Sequence, residues 1–330
     1  MFDSSFRRTV IWLAMGVLLT GCQSGAEVSP ATTPNRTSRT IEHAMGSVEV
    51  PVSPQRVVVL DTAPLDAALA LGVKPVGTIV YRQSPDYLGD RTEGIEIIGD
   101  GNKPNLEAVL NLQPDLILGS KIGAGELYTQ LSQIAPTVLT EGSGRAGDWP
   151  ENLQLYAEAL GQSTAAEQLL ADYRQRVRQL QAAIDQPQAL EISVVIVPKD
   201  IVRAFTTGSF AGSVLQDIGF SRPPAQDDPD GYVARLSAES LEALDGDYVF
   251  LIYSTYRPGG TSKAAFVTHP IWSQLQAVQQ DRVCEVDGAV WVAGRSILAA
   301  KQILTDIEAC LTRTSPQIRN SDGAVNLNTH

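Results

Sequence analysis

Three histidines, the Gly208-Ser209 pair and the glycine-rich run 141–147 are where this chain could carry catalytic or metal chemistry. His43, His269 and His330 stand far apart, and His269 opens a His-Pro pair of the kind that starts a helix. Zinc sites gather several imidazoles with carboxylates, so a bare zinc centre is excluded, whereas iron(III) held by tyrosines stays open. Gly208-Ser209 lacks the G-x-S-x-G pattern of a nucleophile elbow, and no histidine is placed to serve it. The run EGSGRAG at 141–147 lacks the Gly-Lys-Ser/Thr ending of a phosphate loop. Asp61 and Asp66 are separated by a turn and read as structural. Catalysis is therefore not expected. The remaining candidates are cationic and aromatic side chains near predicted strand ends: Tyr81-Arg82, Lys121, Arg145 with Trp149, Arg203 with Phe205, Tyr232 with Arg235, Tyr256-Arg257, and Trp291 with Arg295. A guanidinium fork suits carboxylate-like oxygens, and aromatic rings suit the skeleton of a ligand.

The elements that must position these residues are organised around 149–186. Apolar residues recur there at three- and four-residue steps: Leu153, Tyr156 and Leu160, then Leu169, Leu170, Tyr173, Val177, Leu180 and Ile184. Gly161 to Ser163 interrupts the pattern, and Ser163 is expected to cap a second helix with Glu167 in its first turns. That helix runs uninterrupted from Ala165 to Ile184, roughly 30 Å, and Pro187 follows it. On each side lies a segment of over a hundred residues with its own strand and helix signals, so 150–186 reads as a spine between two lobes. The chain has 330 residues, 43% hydrophobic and 19% charged, enough for two cores of ordinary size. Its net charge of −12 argues against a nucleic-acid partner, without excluding a local basic pocket.

The N-terminus reads as an export signal. Phe6-Arg7-Arg8 precedes an apolar run, 10–19, too short to span a bilayer. Leu19-Thr20-Gly21-Cys22 resembles the bacterial lipobox, which implies lipid on Cys22 as the first mature residue. The polar stretch 23–40, with its Pro, Ser and Thr, reads as a flexible tether. Cys284 and Cys310 form either a disulfide in an oxidising compartment or two small buried apolar side chains.

The first lobe, 41–149, shows strands at Val57–Leu60, Val73–Val80, Ile97-Ile98, Pro114–Gly119 and Pro136–Leu139, with helices at Leu65–Leu71, Asn105–Leu110 and Leu127–Ile134. The second, 187–313, shows strands at Glu191–Val197 and Tyr248–Ile252, a helix after Leu236 capped by Ser237, and a last helix over 296–311, with a polar tail after it. Strand and helix alternate, so the fold class is α/β: two Rossmann-like lobes joined by a long rigid helix, with a ligand cleft between them.

The pieces RVVVLDTAPLDAALALGVKPVGT, IGDGNKPNLEAVLNLQPDLILGS and LSQIAPTVL resemble the N-terminal lobe of the helical-backbone, class III, periplasmic binding proteins for iron-siderophores and cobalamin. The segments 203–219, HPIWSQL and DRVCEVD resemble the second lobe and closing pattern of that family. The resemblance covers about residues 50 to 311. It implies a monomeric substrate-binding protein of an ABC importer, lipid-anchored at the periplasmic face of the inner membrane or the cell surface. Its ligand is expected to be a ferric chelate, with no resident cofactor besides the lipid and no directly bound metal. The family position just before the Phe-x-x-Gly-Ser loop makes Arg203 the leading ligand contact, with Arg235 similar. Many hydroxamate binders carry an arginine just before the P-N-L-E phrase, where this chain has Asp100 to Lys103. Glu107 in P-N-L-E and Glu239 in L-S-A-E match the family's permease-docking glutamates, and both are also first-turn acids favoured by the helix dipole. Haem or cobalamin as ligand, or a surface lipoprotein outside transport, are the alternatives.

Overall fold

The structure is a computed structural model that describes residues 37–81, 85–101, 103–196, 202–236, 238–253 and 272–314. Two open sheets carry it. The first has six strands in the order β6-β5-β4-β3-β7-β8: β3 is Val57–Val59, β4 Gly77–Val80, β5 Glu96–Asp100, β6 Lys103–Pro104, β7 Leu116–Ser120 and β8 Thr137–Thr140. All its pairings are parallel except β5 with β6. The three valines of β3 are buried, as a strand covered on both faces requires.

The second sheet runs β11-β10-β9-β12-β13, with β9 Ile192–Ile196, β10 Val202–Phe205, β11 Val233–Leu236, β12 Tyr248–Tyr253 and β13 Val283–Asp287. Here β9, β12 and β13 are parallel, while β10 and β11 run antiparallel to their neighbours. The connection from β9 to β10 explains the reversal. It spans only residues 197–201, too short for the crossover that a parallel neighbour needs. Through this reversal β10 begins at the edge where the parallel strands end and runs away from it.

The spine is two helices, Trp149–Leu160 and Ser163–Ala183. Gly161 ends the first with φ 72, and a side chain there would press on the Val52 carbonyl. Ser163 is not the cap that was expected. Gln162 occupies that position without a side-chain bond, which leaves Ser163 as the first helical residue.

One apolar core runs through both lobes. Val57, Val59, Leu116 and Leu118 of the first sheet, Trp149, Tyr156 and Tyr173 of the spine, Val194 and Phe250 of the second sheet, and Ile303 and Ile307 of the C-terminal helix belong to it. Each such aliphatic side chain contributes about 1.5–3 kcal/mol when fully buried, so prying the lobes apart is costly. The outer face of each sheet has its own smaller core.

Two local expectations are corrected and one open alternative is resolved. The tether does not extend to residue 40, because Ser38–His43 (β1) pairs antiparallel with Gly46–Pro51 (β2). That hairpin buries Ile41 and Val50 and docks by Ala44 N–H to Leu139 O at 2.9 Å and Arg39 to Ala159 O at 3.0 Å. The last helix spans Ile297–Thr314 and outlasts the predicted end, since Arg313 donates to Val283 O and ties the final turn to β13. Cys284 on β13 and Cys310 on that helix form a disulfide with Cα atoms 6.0 Å apart.

Candidate functional site: the rim between the sheets

In open α/β sheets ligands bind beyond the carboxyl ends of the strands. In the first lobe those ends deliver Asp61 after β3, Tyr81 after β4, Lys121 after β7 and Glu141 after β8. In the second, β9, β12 and β13 end at Ile196, Tyr253 and Asp287. The antiparallel β10 begins, and β11 ends, at this same edge, which places Arg203 and Arg235 there.

The lobes meet around this rim. Phe210 N–H donates to Arg145 O at 2.9 Å, joining the loop after β8 to the helix Phe210–Ile218 that follows β10. On the other side Tyr81 and Tyr87 pack against Ala289 and Ala293. Two buried polar links lie beneath. Arg295 donates to Asp61 at 2.6 Å and to Ser143 O at 2.8 Å. Asp66 accepts from Leu298 N–H at 2.9 Å, Ala299 N–H at 3.0 Å and Tyr87 OH at 2.9 Å, so an acid of one lobe caps the C-terminal helix. Burial pushes Asp66 up to about 6, against the pull of those bonds. Burial works against the Arg295 charge, but Asp61 beside it, together with Tyr81 and Tyr156, outweighs that and the guanidinium pKa is raised.

Arg203 and Arg235 are direct partners in the β10–β11 register. Directly opposed residues project from the same face of a sheet with Cβ atoms about 5 Å apart. Their neighbours Phe205 and Val233 pack on the core shared by the two lobes, whereas Val202, Ala204 and Leu236 pack on the outer one. The arginines therefore share the inner face, at its rim. Arg235 is exposed; Arg203 is half-buried, and its Nε is buried with no hydrogen-bond partner among the described residues. Among the described residues neither arginine has a carboxylate partner.

The other expected ligand contacts divide. Tyr81 and Arg145 are half-buried at the rim and Tyr232 is 51% exposed beside β11. Lys121 is there too, already paired with Glu141 at 3.0 Å. Trp149 and Trp291 are corrected from ligand walls to core. Trp149 packs edge-on against Tyr173 and Phe210, and Trp291 stacks on Phe250 while its Nε1 donates to Asp306. Phe205 is likewise buried. Arg295 is corrected as well, being spent on Asp61. Glu107 is exposed in the first turn of Leu106–Asn111, whose cap is Asn105. Cys22, Arg82, Tyr256, Arg257 and the side chain of Glu239 lie outside the described residues.

Sequence reasoning missed Tyr253, which is 44% exposed at the end of β12. Burial and the carboxylates of Asp287, Glu285, Asp306 and Asp86 hold its phenol above the usual range. The signal was available: Tyr253 is the first residue after the buried run Tyr248–Ile252. A cavity of about 570 Å³ lies elsewhere, between β13 and the last turns of the C-terminal helix, with the disulfide in its wall.

Comparison with known proteins agrees with this architecture. A family described as Periplasmic binding protein matches residues 57–290. A probable siderophore-binding lipoprotein of Bacillus subtilis, YfiY, is 34% identical over 92% of this chain and 97% of that protein. An achromobactin-binding periplasmic protein of Dickeya dadantii is 31% identical over 77% of this chain and 85% of its own length. The crystal structure of Staphylococcus aureus SirA complexed with staphyloferrin B superposes with a TM-score of 0.74 at 30% identity, covering 83% of this chain and 98% of SirA. With both sheets, the interlobe core and these matches in agreement, the chain belongs to the periplasmic binding protein family.

Proposed function

We propose that this protein captures a ferric siderophore at the rim between its lobes and delivers it to an ABC-type permease. The observation that carries the reading is the convergence of both sheets' strand ends on a rim whose second-lobe edge holds two arginines with no described acid partner. The shared core favours a cleft that is largely pre-formed, which lowers the cost of binding. The relatives' names, for a siderophore-binding lipoprotein and an achromobactin-binding periplasmic protein, support the ligand class. Lipid on Cys22 would hold the protein at the outer face of the cytoplasmic membrane as a monomer, with the segment after it as a tether.

Glu107 and Glu239 are the residues that would dock on the permease, one from each lobe. Alanine at both is expected to abolish radiolabelled iron uptake in cells while ferric-siderophore affinity in vitro is unchanged. Uptake at the wild-type rate would remove the docking assignment. Delivery itself fails if a strain lacking the protein takes up the chelate that the protein binds as fast as its parent.

A further inference from the structure

We propose that the Cys284–Cys310 bridge is a thiol-exchange site. A small neutral or cationic thiol enters the cavity beside it, attacks Cys310 and displaces the Cys284 thiolate toward Arg313. The proposal is independent of the siderophore reading, since this site lies away from the rim.

Cys284 sits on β13, the last strand of its sheet, which has a neighbouring strand on one side only among the described residues. Four consecutive β13 residues, Val283 to Val286, line the cavity of about 570 Å³. Successive side chains of a strand point to opposite faces, so a cavity that all four line follows the open edge of β13. Cys310 and its small neighbour Ala309 form the facing wall. Pockets of about 300–1,000 Å³ admit drug-sized molecules, so a low-molecular-weight thiol has room beside the sulfurs. A structural bridge packed by side chains on every side offers no such approach, and access is one of the determinants of exchange.

The two sulfurs are not equivalent. Arg313 Nη2 donates to Cys284 Sγ at 3.1 Å and to Val283 O at 3.0 Å, and its Nη1 faces Asp281 at 3.6 Å. A guanidinium beside a sulfur lowers its thiol pKa, and the sulfur of lower pKa leaves faster. Attack therefore falls on Cys310. The incoming thiolate, its proton left with solvent, bonds to Cys310 Sγ as the Cys310–Cys284 bond breaks. The electron pair of that bond passes to Cys284 Sγ beside Arg313. A second thiol attacks the small-molecule sulfur of the mixed disulfide, frees Cys310 and leaves with the first as their own disulfide. Two thiols are oxidised, the protein bridge is reduced, and two protons end on its sulfurs. The lining selects the thiol by charge. Asp281, Glu285 and Asp306 stand against one guanidinium, that of Arg313, among the described residues. An acidic cavity raises the local concentration of cations and lowers that of anions. Opening the bridge frees the last turn of the C-terminal helix from β13, while Asp66 still holds its first turn.

The test uses the oxidised full-length chain in detergent, without ligand, as wild type, Arg313→Gln and Arg313→Lys. Each reacts with cysteamine, mercaptoethanol and mercaptoethanesulfonate, which are cationic, neutral and anionic. Rates are compared per thiolate, in native buffer and in urea, and peptide mass mapping of the acid-quenched product locates the mixed disulfide. In native buffer the wild-type rate should rise in proportion to thiol concentration, with the captured thiol on Cys310. Cysteamine should react about tenfold faster than the sulfonate, and urea should abolish that preference. Arg313→Gln should slow exchange about threefold to tenfold and spread capture over both sulfurs, and Arg313→Lys should restore the rate. A native rate independent of thiol concentration would mean that the bridge is reached only through unfolding, and would overturn the proposal. Equal native rates for the three thiols, or capture on Cys284 in the wild type, would overturn it as well. Exchange in Arg313→Gln as fast as in the wild type would remove the leaving-group role of Arg313. The wild-type arms decide the proposal whether or not Arg313→Gln folds.

Discussion

Asp61 and Arg295 meet at 2.6 Å across 234 residues of sequence, with both side chains buried. Asp61 also accepts from Thr62 N–H as the cap of the helix Thr62–Ala70, and Arg295 has a left-handed backbone with φ 53. Gly144 is pressed against Arg295, where a Cβ would come within 2.6 Å of its carbonyl oxygen. Three segments thus converge on one ion pair beneath the rim.

Removing one partner of a buried pair strands the other charge. Asp61→Asn or Arg295→Met is expected to destabilise by about 3–5 kcal/mol. Replacing both together by apolar residues should recover much of that loss. Urea unfolding of the two single variants and the double variant measures the coupling. Single variants within 1 kcal/mol of wild type, by that order-of-magnitude scale, would show that the link is unimportant.

Asp66 gives the protein a pH signature. Its folded pKa is raised to about 6 from an ordinary 3.8, chiefly through burial. The folded state therefore binds this proton more tightly than the unfolded chain does. Stability from this group grows as pH falls from above 6 toward 4, and is lost as pH rises through 6. Asp66→Asn should flatten the melting temperature between pH 4 and 7 and lower it overall, because an amide oxygen cannot replace both carboxylate oxygens toward Leu298, Ala299 and Tyr87. An unchanged pH profile in that variant would contradict the assignment.

The disulfide closes a loop of 26 residues between β13 and the C-terminal helix. A loop of that length is worth about 3.5 kcal/mol in unfolded-state entropy. Cys284→Ser with Cys310→Ser should lower stability by about that amount and leave ligand affinity unchanged, since neither residue reaches the rim. Affinity that drops together with stability would place the bridge in the binding machinery.

Lys121 and Glu141 are largely exposed, with side chains 46% and 72% accessible. Glu141→Gln should change stability by less than about 1 kcal/mol. It frees the Lys121 ammonium at the rim, so affinity for an anionic chelate is expected to rise. A calorimetric titration that shows weaker binding would mean Glu141 itself contacts the ligand.

What the sequence disclosed follows from the range of each interaction. The apolar runs Val57–Leu60 and Tyr248–Ile252 and the periodicity from Leu153 to Leu180 are local patterns, and they placed a central strand of each sheet and the spine. The hairpin at Ser38–Pro51 was invisible because Ile41 and Val50 are its only buried apolar residues, one per strand. Arg295 read as a free cation because its partner lies 234 positions away. Trp149 and Trp291 read as ambiguous because composition near a strand end does not say which way a ring points. The opposition of Arg203 and Arg235 depends on the short β9–β10 connection, which forces an antiparallel pair, and on a register that only the folded sheet supplies.

The central claim is capture of a ferric chelate, and fluorescence quenching of the full-length chain tests it most directly. With Trp12 replaced by Phe, the remaining tryptophans, Trp149, Trp272 and Trp291, are all buried, so a signal reports energy transfer to the iron chromophore rather than contact with free solute. Ferric citrate, a ferric tris-catecholate, a neutral ferric trihydroxamate, haem and cobalamin would each be titrated, the first three also without iron. Saturable quenching by a ferric siderophore-type chelate, absent for haem and cobalamin, is the predicted result. Quenching by haem or cobalamin alone, or by none of the five, would contradict the account.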